Sequence, residues 1–312
     1  MATNSLPQGG ATRLLDWGVI RAKGDEAAVF LQGQLTQDVA GLVTGRARLA
    51  GYCSVKGRLL ATFVMWRPAP DEVLLACSAD VLPGVLKRLS MYVLRAKCKL
   101  ADASAELPLW GLAGPSAHHA LPPDALGEVW SQVQFSGATL TRLPDASADD
   151  GSPALGRWLC AGVPPAMPEL AHGTWLALEA RSGVARVVAA TSEQFVPQMV
   201  NFEVVGGVNF QKGCYPGQEV VARSQYRGTL KRRAQLFDSD ENLAPGQEVF
   251  HSADAGQPAG MVVLAGVGTG ARPALIEVKL AALSEGTLHV GRADGPLLTP
   301  RALPYALPAD AA

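Results

Sequence analysis

Between Asp38 and Asp71 the chain has no acidic residue, so that stretch offers no carboxylate for proton transfer or for balancing a positive charge. Cysteine is sparse as well. The five, at positions 53, 77, 98, 160 and 214, include no close pair, which speaks against both a disulfide framework and a CxxC metal site. Histidine offers no alternative. His118 and His119 are adjacent and face different ways on any regular element, while His172, His251 and His289 stand alone; structural zinc normally needs four nitrogen or sulfur ligands, so no metal is expected. Neither sign of charge dominates, with 27 Lys and Arg against 28 Asp and Glu, and the electrostatic footprint of direct nucleic-acid binding is missing. No uninterrupted apolar run approaches the roughly 18 residues of a membrane span. The first twenty residues also lack a basic segment followed by an apolar one, so a cytoplasmic protein without membrane association is expected; a monomer is expected as well.

What is present points to a folded protein of several parts. At 312 residues, 48% hydrophobic and 18% charged, the chain exceeds the size at which single cores stop growing, about 250 to 300 residues, so two or three domains are expected. The most informative stretch is NFQKGCYPGQEVVARSQYRG, Asn209 to Gly228. Pro216 has a fixed φ and no N–H, which suits either the first position of a helix or the second position of a turn completed by Gly217. A helix is expected to follow, with Glu219 in its first turn against the positive end of the macrodipole and Gly228 as its stop. Cys214 then lies just ahead of a helix N-terminus, two residues from the ammonium of Lys212. Two readings stand for it: a reactive thiol activated by its surroundings, or a small buried apolar residue.

KGCYPGQEVVAR resembles the signature of the YgfZ proteins, folate-binding relatives of the glycine-cleavage aminomethyltransferase that are associated with assembly or repair of iron–sulfur cluster proteins and linked to tRNA modification. FLQGQLTQDV, with Thr36 and Asp38, resembles the amino-terminal motif of the same family, although Gly, Thr and Asp are also ordinary turn residues. The resemblance implies an α+β fold of two mixed domains plus a terminal β-barrel, tetrahydrofolate or a related reduced folate as ligand, and iron–sulfur enzymes or cluster-assembly proteins as partners. It implies Cys214 and Lys212 as the chemical pair, and Trp17, Trp175, Gln218, Glu219 and Arg223 as folate contacts. Tryptophans suit a pteridine because they give a rigid apolar stacking surface; core packing is the other reading for both. In aminomethyltransferases a catalytic aspartate stands in the stretch that here reads SVKGRLLATF. Its place is taken by Lys56 and Arg58, which either receive an anionic folate tail or belong to a solvated hairpin. A folate-binding assembly or repair factor is therefore favoured over a folate-dependent aminomethyl or one-carbon transferase.

Periodicity fills in the rest. Strands are expected over Trp17 to Ala22, Arg58 to Trp66, Val73 to Cys77 and Leu94 to Leu100, the last with Arg95, Lys97 and Lys99 on one face. Helices are expected over Glu26 to Leu35, after Asp80, and from Gly114-Pro115 to Leu121. Leu143 to Pro153 reads as a loop, and TWLALEARSGVARV as a strand and a Gly183 turn. From about residue 234 short apolar runs alternate with turn residues, the pattern of a barrel. GVGTGA, Gly266 to Ala271, has dinucleotide-loop spacing but precedes ALIEVKL, a strand, so a hairpin is expected. The expected units are a folate-binding body from residues 1–50 and 155–230, a ferredoxin-like α+β domain from 51–154, and a barrel from 231–312.

Overall fold

The computed structural model describes residues 9–147, 153–226, 230–268 and 272–308. In chain order its elements are β1 (Gly10–Arg13), β2 (Trp17–Lys23), α1 (Ala27–Gln32), β3 (Ala47–Cys53), β4 (Leu59–Ala69), β5 (Glu72–Ser78), α2 (Leu82–Val93), β6 (Lys99–Asp102), β7 (Leu109–Ala113) and α3 (Gly114–Ala120). There follow β8 (Gln132–Phe135), β9 (Ala138–Ala146), β10 (Leu155–Ala161), α4 (His172–Arg181) and α5 (Gln218–Tyr226). The last strands are β11 (Arg232–Ser239), β12 (Glu248–His251), β13 (Gly260–Ala265), β14 (Arg272–Lys279), β15 (Leu288–Val290) and β16 (Leu297–Arg301).

These strands form two five-stranded sheets, β3-β4-β5-β2-β6 and β1-β7-β10-β9-β8, and a closed barrel, β11-β14-β13-β12-β15-β16. All named pairings are antiparallel, which makes this an α+β protein rather than a succession of βαβ units. Closure of the barrel removes its edge strands. One apolar core joins the three parts: Leu49, Val64 and Trp66 of the first sheet, Leu109 and Leu159 of the second, Trp175 and Leu178 of α4, and Val263 and Leu275 of the barrel.

The unit boundary expected at residues 50 and 51 falls inside β3, which pairs with β4 from Ala47↔Trp66 to Cys53↔Leu59. β9 extends to Ala146 and pairs with Leu155 of β10, so the loop expected from Leu143 is shorter; residues 148–152 lie outside the described residues. The expected strand from Leu94 is only Lys99–Asp102. Leu94, at the end of α2, has φ 45°, and that left-handed backbone makes the preceding alternation part of a turn. Asp80 does not cap α2 with its side chain but accepts a hydrogen bond from Ala189 N at 2.9 Å. β13 and β14, which flank the GVGTGA segment, pair antiparallel as the arms of a hairpin do; residues 269–271 lie outside the described residues.

Trp175 departs furthest from expectation. TWLALEAR is helical, within α4, not a strand. Its short apolar run WLAL suits a strand as well as a helix, yet Trp175, Leu178 and Glu179 stand at helical spacing and all three are buried, so the i, i+3, i+4 pattern decided the structure.

Candidate functional site

The motif around Cys214 is held by backbone contacts. Gln218 N donates to Tyr215 O at 3.2 Å, and Gly217 has φ 78°. Pro216 and Gly217 therefore occupy the centre of a turn, with Gly supplying the positive φ, and α5 starts after it. A side chain on Gly217 would collide with Ser54 O and stand 2.6 Å from Gly57 N. The turn thus packs backbone to backbone on the β3–β4 hairpin, and only glycine allows that approach. Tyr215 is buried beside it. The stop expected at Gly228 lies outside the described residues.

Cys214 is exposed, whereas Cys53, Cys77 and Cys160 are buried and Cys98 is half-buried. Lys212 is a structural clamp. Its Nζ donates to Leu35 O at 2.7 Å and to Gln32 O, at the C-terminal end of α1. Cations are favoured there because carbonyl dipoles point outward. Burial pushes the Lys212 ammonium down to about 8, against the attraction of Asp38 and Cys214. Thr36 is also structural, fully buried, donating from Oγ1 to Gly207 O at 2.6 Å and accepting from Gly51 N at 2.7 Å. Arg58 donates to the carbonyls of Glu193 and Gln194, while Lys56 is exposed.

The residues expected to contact folate fall into two places. Glu219 and Arg223 line an open concavity on α5 with Ala222 and Tyr226; Gln218 lies at the start of that helix. Trp17 and Trp175 instead line an inner chamber where the two sheets meet α4. Trp175 lies against Gly111 of β7, where any Cβ would come within 2.5 Å of the indole.

The chamber also contains residues that periodicity and motif did not single out: Phe63, Trp130, Arg157, Glu179 and Arg186. Arg186 donates to both oxygens of Glu179, at 2.8 and 2.9 Å, to Ser78 Oγ at 2.8 Å and to Asp16 Oδ2 at 2.8 Å. Its guanidinium carbon lies 4.9 Å from the centroid of Trp17, a cation–π distance. Although burial alone would lower it, the two carboxylates hold the Arg186 pKa above its ordinary value. Arg157 lies over Trp175 at 5.3 Å and donates from Nε to Pro144 O at 3.1 Å. Trp130 has φ 68°, a genuine outlier for a bulky residue and the kind of stored strain that gathers at functional sites.

Two buried indole groups in this chamber, Trp17 Nε1 and Trp175 Nε1, have no hydrogen-bond partner among the described residues. Unanswered buried donors cost free energy and call for an acceptor. The chamber holds about 40 Å³, enough for a few waters, but it shares Glu179 and Arg186 with a groove of about 520 Å³ whose walls include Leu176, Leu243 and Val267. These two residues are common to both linings, and the groove alone is of ligand size. A pterin fits the donor and acceptor set: flat rings for stacking, ring nitrogens and an oxo group for the indole donors, and an amino group for the remaining lone pairs of Glu179.

Among the described residues no group of three His, Cys, Asp or Glu is placed to hold a metal ion, and no helix is long and apolar enough to cross a membrane. No protein-family model matches the chain. Over 262 residues, covering 80% of this chain and 76% of the relative, the sequence is 32% identical to the tRNA-modifying protein YgfZ of Colwellia psychrerythraea strain 34H. The fold is similar to that of the glycine cleavage system aminomethyltransferase T from Bartonella henselae, with a TM-score of 0.69 at 17% identity, over 95% of this chain and 86% of that one.

Proposed function

The chain belongs to the YgfZ family, and from that premise we propose that it binds a reduced folate of the tetrahydrofolate type in the tryptophan chamber and uses the exposed Cys214 in support of iron–sulfur cluster proteins, tRNA-modifying enzymes among them. One observation carries the folate half of this reading. Trp17 and Trp175 face a chamber with their Nε1 donors unanswered, and a pterin brings both the stacking surface and the acceptors. Trp17, Phe63, Trp130 and Trp175 supply apolar contact, and Glu179, fixed by Arg186, supplies the carboxylate. Bound tetrahydrofolate provides the nitrogens that carry one-carbon units. The protein's own part is to stack, orient and exclude water around them.

The transferase alternative lacks a carboxylate where the family resemblance implies one. The β4 residues lining the chamber are Thr62, Phe63 and Val64, and Thr62 Oγ1 already accepts from Val187 N at 3.0 Å. Gln218, Glu219 and Arg223, on α5, remain proposed contacts for a part of the ligand outside the chamber.

Titration with tetrahydrofolate should quench tryptophan emission saturably, because three of the chain's six tryptophans line the chamber. Absence of a saturable signal with any reduced folate up to high micromolar concentration would remove the folate half of the proposal.

A further inference from the structure

The stretch from Val81 to Ala101 contains no acidic residue and five cations, Lys87, Arg88, Arg95, Lys97 and Lys99. Among the described residues none of the five forms an ion pair. The three carboxylates around the stretch are bonded to backbone: Asp80 to Ala189 N at 2.9 Å, Asp102 to Ser104 N at 2.9 Å, and Glu26 to Lys97 N at 2.6 Å. α2 buries Leu82, Val85 and Leu89 and leaves Lys87, Met91, Tyr92 and Leu94 exposed at its C-terminal end. Lys87 and Met91, like Arg88 and Tyr92, stand four residues apart and are neighbours on the helix surface, with Leu94 and Arg95 directly beyond them. Leu94 is costly to the free protein. It closes α2 with φ 45° and ψ −101°, a backbone region that glycine enters freely and other residues enter under strain, and 87% of it is exposed. Strain and exposure together bring no packing inside the fold, and three apolar side chains gathered at one helix end are the mark of a contact surface.

The surface is connected to the Cys214 motif by direct contacts. Tyr52, whose hydroxyl pKa burial raises, has Arg88 and Tyr92 beside that hydroxyl. The Tyr52 backbone bridges Leu35, and Leu35 O accepts from Lys212 Nζ at 2.7 Å, two residues before the exposed Cys214. We propose that the C-terminal end of α2 is the docking surface for the client protein that Cys214 serves, a protein whose contact patch is apolar at its centre and rimmed by Asp and Glu carboxylates. This rests on the thiol reading of Cys214 and adds to it where the client binds and what its surface is made of. Charge complementarity selects the rim, because five cations face three carboxylates that are already bonded, and opposite charge steers association and fixes register. The apolar trio selects a protein. RNA offers phosphates to the cations and bases to Tyr92, but no aliphatic surface to Met91 and Leu94. A membrane-surface helix needs an apolar face along its length, whereas the apolar face of α2 is spent on the core.

Leu94→Gly tests this in the full chain, because it removes the apolar anchor and the backbone strain together. Its thermal midpoint should be no lower than that of the native protein, and Cys214 should alkylate at the native rate. Complementation of a strain lacking the gene should nevertheless be lost, as it should with Lys87→Glu combined with Arg95→Glu. Binding is read by fluorescence anisotropy of a labelled helical peptide with a leucine face rimmed by glutamates, beside the same peptide with lysines in place of the glutamates, total tRNA, and phosphatidylglycerol vesicles. The acidic peptide should bind the native chain at least about tenfold more tightly than the basic one, and Leu94→Gly should weaken it at least about tenfold, the worth of one buried leucine. Absence of that preference, or full complementation by Leu94→Gly, overturns the proposal. Binding of tRNA or vesicles that Leu94→Gly abolishes overturns it too, by giving the surface to RNA or lipid. Loss of complementation by Cys214→Ser with Leu94→Gly still active removes the docking surface and leaves the thiol reading in place. Full complementation by Cys214→Ser removes the thiol reading, and this proposal with it. If the double charge variant does not fold, Leu94→Gly and the two peptides decide.

Discussion

Replacing Arg186 by Met is expected to destabilise the protein by about 3 to 5 kcal/mol, the cost of leaving a buried carboxylate without its cation. Glu179 is 5% exposed and receives two hydrogen bonds from Arg186 at 2.8 and 2.9 Å. The same guanidinium reaches Ser78 on β5 and Asp16 just ahead of β2. One side chain therefore ties α4 to the first sheet, and its loss opens the wall between chamber and groove. Thermal denaturation followed by circular dichroism should show a midpoint lower by roughly 10 °C, given about 2 to 4 °C per kcal/mol for chains of 150 to 250 residues. Removing both charges, as Arg186→Met with Glu179→Leu, should recover most of that loss, because the isolated charge carries the penalty. A single substitution costing less than about 1 kcal/mol would mean that Glu179 finds another partner or water.

The second large effect is functional. Cys214→Ser keeps nearly the same volume at an exposed position, so stability should change by less than about 1 kcal/mol. Folate affinity should also be nearly unchanged. Support for cluster-dependent enzymes should be lost, because serine cannot supply a thiolate. Among the five thiols, Cys214 should alkylate first in the native protein. Burial pushes Cys53, Cys77 and Cys160 up to about 12 and raises Cys98 as well; at a pKa near 12 the thiolate fraction at pH 7 is only about 10⁻⁵. Mass spectrometry of iodoacetamide-treated protein, paired with complementation of a strain lacking the gene, checks both halves. Alkylation of Cys214 only after denaturation, or full complementation by the Ser variant, contradicts the mechanistic role.

The sequence carried the architecture well where a local signal coincided with the tertiary solution. Short apolar runs between turn residues after residue 234 are strands of the closed barrel, and the Pro216-Gly217 pair is the turn its φ requirements allow. It carried α4 poorly. In TWLALEAR four consecutive apolar residues carry no period of their own before the helical spacing of Trp175, Leu178 and Glu179 becomes visible, and burial on one face of the helix decides the structure. That apolar run hid Glu179, and with it Arg186, seven residues later and bonded to it through both carboxylate oxygens. Arg157 was invisible for another reason. Its environment is created by a sheet strand, a helix and the end of β9, brought together only in the fold. The Lys212 clamp on α1 joins residues 177 and 180 positions apart, and nothing in the local spelling of KGCYPG announces such a contact.

A crystal structure of the protein with 5-formyltetrahydrofolate tests the central claim most directly. Pterin density is expected stacked in the chamber of Trp17, Trp130 and Trp175, with acceptors at Trp17 Nε1 and Trp175 Nε1 and the amino group at Glu179. A pterin found instead on the outer face of α5 beside Glu219 and Arg223, with both indole donors still unanswered, would contradict it.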